Sequence, residues 1–140
     1  MRGITTIESM KQQDQATPRI ALVGHCGPDS WMLKGVVQRA FPGGEVVMVD
    51  DAATTRSEAA RADLLLINRQ LDGDFESCSG LDLIREMMAM KGRKAAVMLV
   101  SNFAEAQAQA VALGAVMGFG KSKAGGTAAA AAMRGAVGRQ

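Results

Sequence analysis

Apolar residues in this chain fall into two alternating patterns. Short continuous runs occur at Ile20-Ala21-Leu22-Val23, Val46-Val47-Met48-Val49, Leu64-Leu65-Leu66-Ile67 and Ala95-Ala96-Val97-Met98-Leu99-Val100, with a weaker, Gly-containing one at Val116-Met117-Gly118-Phe119. A run with no polar interruption suits a strand buried on both faces. These runs predict strands over 19–24, 45–51, 64–68, 94–101 and 116–120. Between them apolar positions recur at helical spacing. Leu33, Val36, Val37, Ala40 and Phe41 form one stripe, opened by Pro28 and stopped by Pro42-Gly43-Gly44. Leu81, Ile84, Met87 and Met88 form another, ending near Lys91-Gly92. Residues 52–61 and 127–137 are Ala-rich and helical in character. Asn102-Phe103-Ala104-Glu105 has capping-box spacing, so a helix is expected from there to Leu113, stopped by Gly114. Strand and helix alternate five times, which predicts βαβ units and one parallel sheet with helices on both faces.

Composition narrows this α/β expectation without redirecting it. The chain has 140 residues, 48% hydrophobic and only 4% aromatic, with ten Met and no Tyr. One domain with an aliphatic core follows. Net charge is +2, from 16 basic and 14 acidic residues. That balance, with few aromatics, argues against nucleic acid as a partner. No apolar run reaches the roughly 18 residues of a membrane span, and MRGITTIESMKQQDQ has no apolar signal segment. A cytoplasmic protein is expected, with Cys26 and Cys78 reduced. Residues 1–18 read as a polar tail or a short docking helix, with Ile4, Ile7 and Met10 at roughly helical spacing, ahead of a domain at 19–137.

Particular residues at the strand ends carry a resemblance. Ser101 follows the fourth strand, Lys121 follows the fifth, Gly114-Ala115 precedes the fifth, and Ser79-Gly80-Leu81-Asp82-Leu83 opens the third helix. Over residues 19–137 the chain resembles the receiver domain of bacterial response regulators (CheY-like). The resemblance implies a flavodoxin-like (βα)5 doubly wound parallel sheet with strand order 2-1-3-4-5. In that family an acidic pair after the first strand holds Mg²⁺, and an Asp ending the third strand accepts a phosphoryl group from a histidine kinase. A hydroxyl after the fourth strand and a Lys after the fifth then bind the phosphoryl oxygens. Ser101 and Lys121 fall on the last two positions. Gly24 and His25 stand in place of the acidic pair, and Asn68 in place of the acceptor. Ser122 replaces the Pro that usually follows the Lys, Gly118 or Phe119 takes the place of the aromatic switch residue, and the loop after Asn68 is longer than usual. An amide cannot form the acyl phosphate that a carboxylate forms, and Gly24 and His25 offer no oxygen side chain to a hard cation. The resemblance therefore implies a pseudo-receiver.

Several readings of these residues stay open at this stage. Asn68 is expected to bond Ser101 or Lys121, or to cap the next turn. Lys121 is expected either to pair with Asp50 or Asp51 or to lie solvated. Ser101 is a retained phosphoryl ligand or, with Asn102, a helix cap. His25, the single His, is structural or belongs to a metal site with Cys26, Cys78, Asp50 and Asp51; no C-x-x-C motif supports the metal. Cys26 with Cys78 is a conceivable redox pair. Asp72 and Asp74 are turn residues or a displaced acceptor. Met87, Met88 and Met90 are core, with one available for a docking face. The small residues Ala128–Ala132 leave room for a homodimer contact.

The leading expectation is a phosphorylation-independent signalling module. It has no catalytic residues, cofactor or metal, and acts by docking on a signalling protein or histidine kinase. One rival is a sensor whose strand-end crevice, lined by His25, Cys26, Asn68, Ser101 and Lys121, binds an anion or small metabolite. A second rival is an active receiver with a displaced phospho-acceptor. An independent enzyme is not expected, since no P-loop or dinucleotide-type Gly-rich loop occurs.

Overall fold

The computed structural model describes residues 17–138. The order is β1 (Arg19–Val23), α1 (Gly27–Ala40), β2 (Glu45–Val49), α2 (Ala52–Arg61), β3 (Leu64–Asn68), α3 (Gly80–Ala89), β4 (Ala96–Val100), α4 (Ala104–Ala112), β5 (Val116–Phe119) and α5 (Thr127–Gly138). A single 3₁₀ turn, Lys121–Lys123, interrupts the connection to α5, where a plain loop is expected from sequence. The five strands are parallel in the order β2-β1-β3-β4-β5. This is the expected flavodoxin-like α/β fold. β1, β4 and β5 end one residue and β2 two residues inside their apolar-run estimates, while β3 ends at Asn68 as expected. At β1 the reason is Gly24, whose φ of +73° turns the chain out of the sheet.

The continuous run Leu64–Ile67 is explained by its place at the centre of the sheet, where successive side chains serve opposite cores. Leu65 and Ile67 join one buried cluster with Ala59 of α2, Leu83, Ile84 and Met87 of α3, and Ala106 and Ala110 of α4. Leu64 and Leu66 join the other, with Leu33, Val36 and Val37 of α1 and Met133 and Ala136 of α5. The small residues of α5 let it lie close to the sheet. Met87 is core and Met88 and Met90 pack against it, so none of the three is an exposed docking residue; among the described residues the exposed methionines are Met48 and Met117.

At the N-terminal end of the sheet, Arg19 forks onto the buried Glu58 through Nε and Nη2, at 2.8 and 2.9 Å, and also pairs with Glu45. The bidentate pair satisfies the buried Glu58 carboxylate with the half-buried Arg19 guanidinium, and each raises the other's preference for its ionised form. This anchors α2 beneath the sheet and leaves the opposite, C-terminal edge for the residues singled out by sequence. The expected tail at 1–18 falls almost entirely outside the described residues.

Candidate functional site

Strand order reverses between β1 and β3, and a crevice of about 460 Å³ opens beyond the carboxyl ends of the strands there. Cys26, Asn68, Ser101 and Lys121 all line it, together with Arg69, Asp72 and Phe103. His25, Asp50 and Asp51, expected in or near this crevice, lie elsewhere.

Asn68 ends β3 and is buried. Its Nδ2 donates to Gly24 O at 3.0 Å and to Gln70 O at 2.7 Å. Two carbonyl neighbours fix the amide's orientation, since neither could donate to Oδ1. The expected bonds to Ser101 or Lys121 are not formed. Asn68 instead ties its own loop back to the end of β1.

Gly24 has a steric role of its own. A Cβ at its position would sit 2.5 Å from Leu71 Cδ2, on a backbone whose φ of +73° disfavours any side chain. Gly24 O also accepts from Asp72 N–H at 2.9 Å. The loop after β3 therefore folds over the end of β1 with Leu71 buried against Gly24. It is stitched further by Leu71 N–H to Cys78 O and by Asp74 N–H to Asp50 O, both at 2.7 Å. Gly73 permits the second stitch: a Cβ there would meet Asp50 O at 2.3 Å. The turn formers at 72–80 are thus not an open loop but a hairpin-like cover, with bridges Gln70↔Ser79 and Asp51↔Asp74.

His25 is buried, with Nε2 2.9 Å from Leu66 O. The carbonyl can only accept, so Nε2 carries the proton and Nδ1 keeps a lone pair, which has no partner. Burial drives its pKa down to about 4, against the pull of the Leu66 carbonyl and with help from the Lys121 charge. The imidazole is a neutral structural group, not a crevice wall.

Lys121 Nζ lies 2.6 Å from Asp29 Oδ2, so neither Asp50 nor Asp51 is its partner. The reason is topological: Asp29 sits in the first turn of α1, facing β5's end, whereas β2 is the far edge of the sheet. The Lys121 ammonium, assisted by the Cys26 thiol, holds the Asp29 carboxyl below its ordinary value. Asp51 instead caps α2, accepting from Thr54 N–H at 2.6 Å and from Thr54 Oγ1 at 2.9 Å, which keeps it ionised. Asp50 is exposed beside a separate hollow lined by Trp31, Met48 and Gly73.

The capping box at Asn102 is not formed. The N-cap of α4 is Phe103, which makes no side-chain cap bond. Ser101 Oγ accepts from Phe103 N–H at 3.1 Å, closing a turn ahead of the helix. Asn102 Oδ1 turns away to accept from Ser122 N–H at 3.2 Å and Ser122 Oγ at 2.9 Å. That tie explains why the sequence signal misled: Asn102 finds a partner 20 residues away in the β5–α5 connection. Arg69 stacks over the exposed Phe103 ring, 4.8 Å from its centroid, and forms the crevice rim.

One buried polar residue gave no sequence signal. Gln107 of α4 donates from Nε2 to Leu99 O, Ser101 O and Phe119 O, at 2.9, 3.1 and 3.3 Å, and its Oε1 accepts from Gly118 N–H at 3.0 Å. It holds the ends of β4 and β5 together under the crevice. On a helix reading its neighbours Ala106 and Ala110 look apolar and Gln107 looks like a surface residue.

The residues at the Mg²⁺ positions do not fit that ion. Gly24 has no donor atom, the His25 ring is turned onto a carbonyl, the Asn68 amide nitrogen faces carbonyls, and the nearby Asp29 is paired with Lys121. Among the described residues no group of three or more His, Cys, Asp or Glu is placed to hold a metal, and Cys26 and Cys78 are free thiols. Among the same residues no helix is long and apolar enough to cross a membrane.

No protein-family profile matches the chain, and no curated protein sequence does. Solved structures do. A two-component response regulator of the LuxR family from Aurantimonas sp. is similar at TM-score 0.65 and 21% identity, over 89% of this chain and 88% of that one. A CheY-like response regulator receiver domain from Methylobacillus flagellatus is similar at TM-score 0.64 and 17% identity, over 86% and 98%. A DNA-binding response regulator of the LuxR family from Staphylococcus aureus is similar at TM-score 0.67 and 11% identity, over 86% and 98%. At such identities the likeness is one of fold: the chain has the architecture of receiver domains.

Proposed function

We propose that this chain is a receiver-type module of two-component signalling that works without phosphotransfer, by docking on a protein partner. The observation that carries the reading is the cover over the strand ends. Leu71 fills the space beside Gly24, and the Asn68 amide is bonded to two carbonyls. The acceptor and acid-pair positions are thereby not merely substituted but built into the folded scaffold. Receiver-type neighbours among solved structures support the signalling context. Output in this reading passes through a signalling protein, a histidine kinase or a second copy, in the cytoplasm.

The test is intact mass after incubation with acetyl phosphate and Mg²⁺, on the native protein and on Asn68→Asp. Neither is expected to gain a phosphate. In the variant a carboxylate would face the Gly24 and Gln70 carbonyls, and losing both donated bonds is expected to cost about 3 kcal/mol near neutral pH. A phosphate on the native chain, whether on Asp29, Asp72 or His25, overturns the reading and restores that of a displaced acceptor.

A second reading has one observation in its favour. The 460 Å³ crevice carries Arg69 beside Ser101 and Asn102, a set that suits a small anion, with Lys121 available to it only if released from Asp29. A rise in melting temperature with inorganic phosphate, sulfate or a carboxylate metabolite would favour this sensor over pure docking.

A further inference from the structure

Two of the large exposed apolar side chains among the described residues, Trp31 and Met48, share the face formed by α1 and the edge strand β2, whereas Met117 stands apart on the opposite edge strand β5. Trp31 is 80% exposed and Met48 is 50% exposed. Both line one hollow of about 420 Å³, floored by Leu22 and Val49 and rimmed by Asp50 and Asp72. Val46, two residues before Met48 and so on the same side of β2, is only partly covered by α1. A solvent-facing Trp beside a Met and a half-covered strand edge is an unfinished surface.

The chain itself supplies an occupant. Glu45 N–H donates to Pro18 O at 2.8 Å, so the polypeptide enters the domain beside the first residue of β2, at the base of this face. From there to Met48 is three strand residues, on the order of 10 Å. From the C-terminal end of α1 to Trp31 is about ten helical residues, on the order of 15 Å. The sixteen residues before Thr17 span roughly 24 Å as a helix and twice that extended, enough to reach across the hollow either way. They carry Ile4, Ile7 and Met10 in a single stripe at helical spacing, with Lys11 four residues after Ile7. Lys11 is of opposite charge to the rim acids Asp50 and Asp72, but Glu8 balances it within the segment, so the apolar stripe and the length of the tether carry the fit.

We propose that residues 4–11 of this chain bind its own α1–β2 face, with Ile4, Ile7 and Met10 against Trp31 and Met48. The segment covers the exposed Trp and the free side of β2. A partner seeking this face must displace it.

Trp31 is the only Trp and there is no Tyr, so intrinsic emission reports this face alone. The experiment is acrylamide quenching of the full chain, native and with Ile4→Asp, Ile7→Asp and Met10→Asp combined, over a range of protein concentrations. The described core contains none of the three residues, and far-UV circular dichroism with a urea midpoint checks that the fold is kept. The expected result is a native quenching constant several-fold below that of the triple variant, with red-shifted variant emission and no dependence on concentration. Equal quenching in the two proteins overturns the proposal. So does protection in the native protein that disappears on dilution, which assigns the face to a second copy, and so does protection that survives the three substitutions.

Discussion

Asn68 and His25 direct their protonated nitrogens at main-chain carbonyls 41–44 residues away in sequence, Asn68 at Gly24 and His25 at Leu66. That use ties both side chains into the scaffold. For His25 the linkage has a definite sign. Its folded pKa of about 4 lies below the ordinary 6.5, so between those values the unfolded chain binds a proton that the folded chain refuses. Stability from this group is fully present above pH 6.5 and is lost as pH falls toward 4, by up to about 3 kcal/mol. Urea unfolding at several pH values should show that slope, and His25→Gln, which keeps an amide donor for Leu66 O, should flatten it. A slope unchanged in the variant would mean that carboxylates such as Asp29 and Glu58, whose pKa values are also lowered, carry the acid sensitivity instead.

Helix α4 shows how an element can be placed by a side chain that its own periodicity does not reveal. A nine-residue helix of AEAQAQAVA has little apolar area to bury, and no side chain caps its start. Gln107 compensates by bonding the ends of β4 and β5, including the N–H of Gly118 where the β4–β5 register slips. Gln107→Ala would leave the Gly118 N–H without its partner and remove the two amide hydrogens shared among Leu99 O, Ser101 O and Phe119 O, of which Phe119 O keeps the Ser101 N–H. A loss of about 2–3 kcal/mol is expected, with amide exchange at β5 accelerating more than at β1 or β3. Uniform acceleration across the sheet would show that Gln107 supports the global fold rather than this edge. Asn102 and the missing capping box belong to the same element: the local pattern Asn-x-x-Glu was outbid by a tertiary bond to Ser122.

Across the whole molecule, the Lys121–Asp29 pair joins the start of α1 to the connection after β5, 92 residues apart. Both side chains remain about a third exposed, so the pair is worth little in stability, on the order of 1 kcal/mol or less. Its larger effect is electrostatic: it neutralises the cation that would otherwise draw anions into the crevice. Asp29→Asn should lower the urea midpoint only slightly. If the crevice has a latent anion site, the variant should show a phosphate-dependent rise in melting temperature larger than the native protein's. No added shift in the variant would leave the docking reading without its rival.

The sequence by itself determined the five strand–helix units and, through them, the parallel sheet. A period of hydrophobicity reports burial, and a run such as Leu64–Ile67 can be satisfied only between two cores. It also fixed, by counting from the strand ends, that Gly24, His25 and Asn68 stand where the receiver resemblance expects acids. Tertiary structure alone decided what those residues do instead. Asn68, His25, Lys121 and Gln107 each find a partner 11 to 92 residues away, and hydrophobic periodicity carries no record of hydrogen-bond partners at such separations. The cover formed by Leu71 and Gly73 was invisible for a related reason. Turn formers announce that a chain will bend, but whether it bends into solvent or onto the ends of β1 and β2 depends on the backbone groups waiting there.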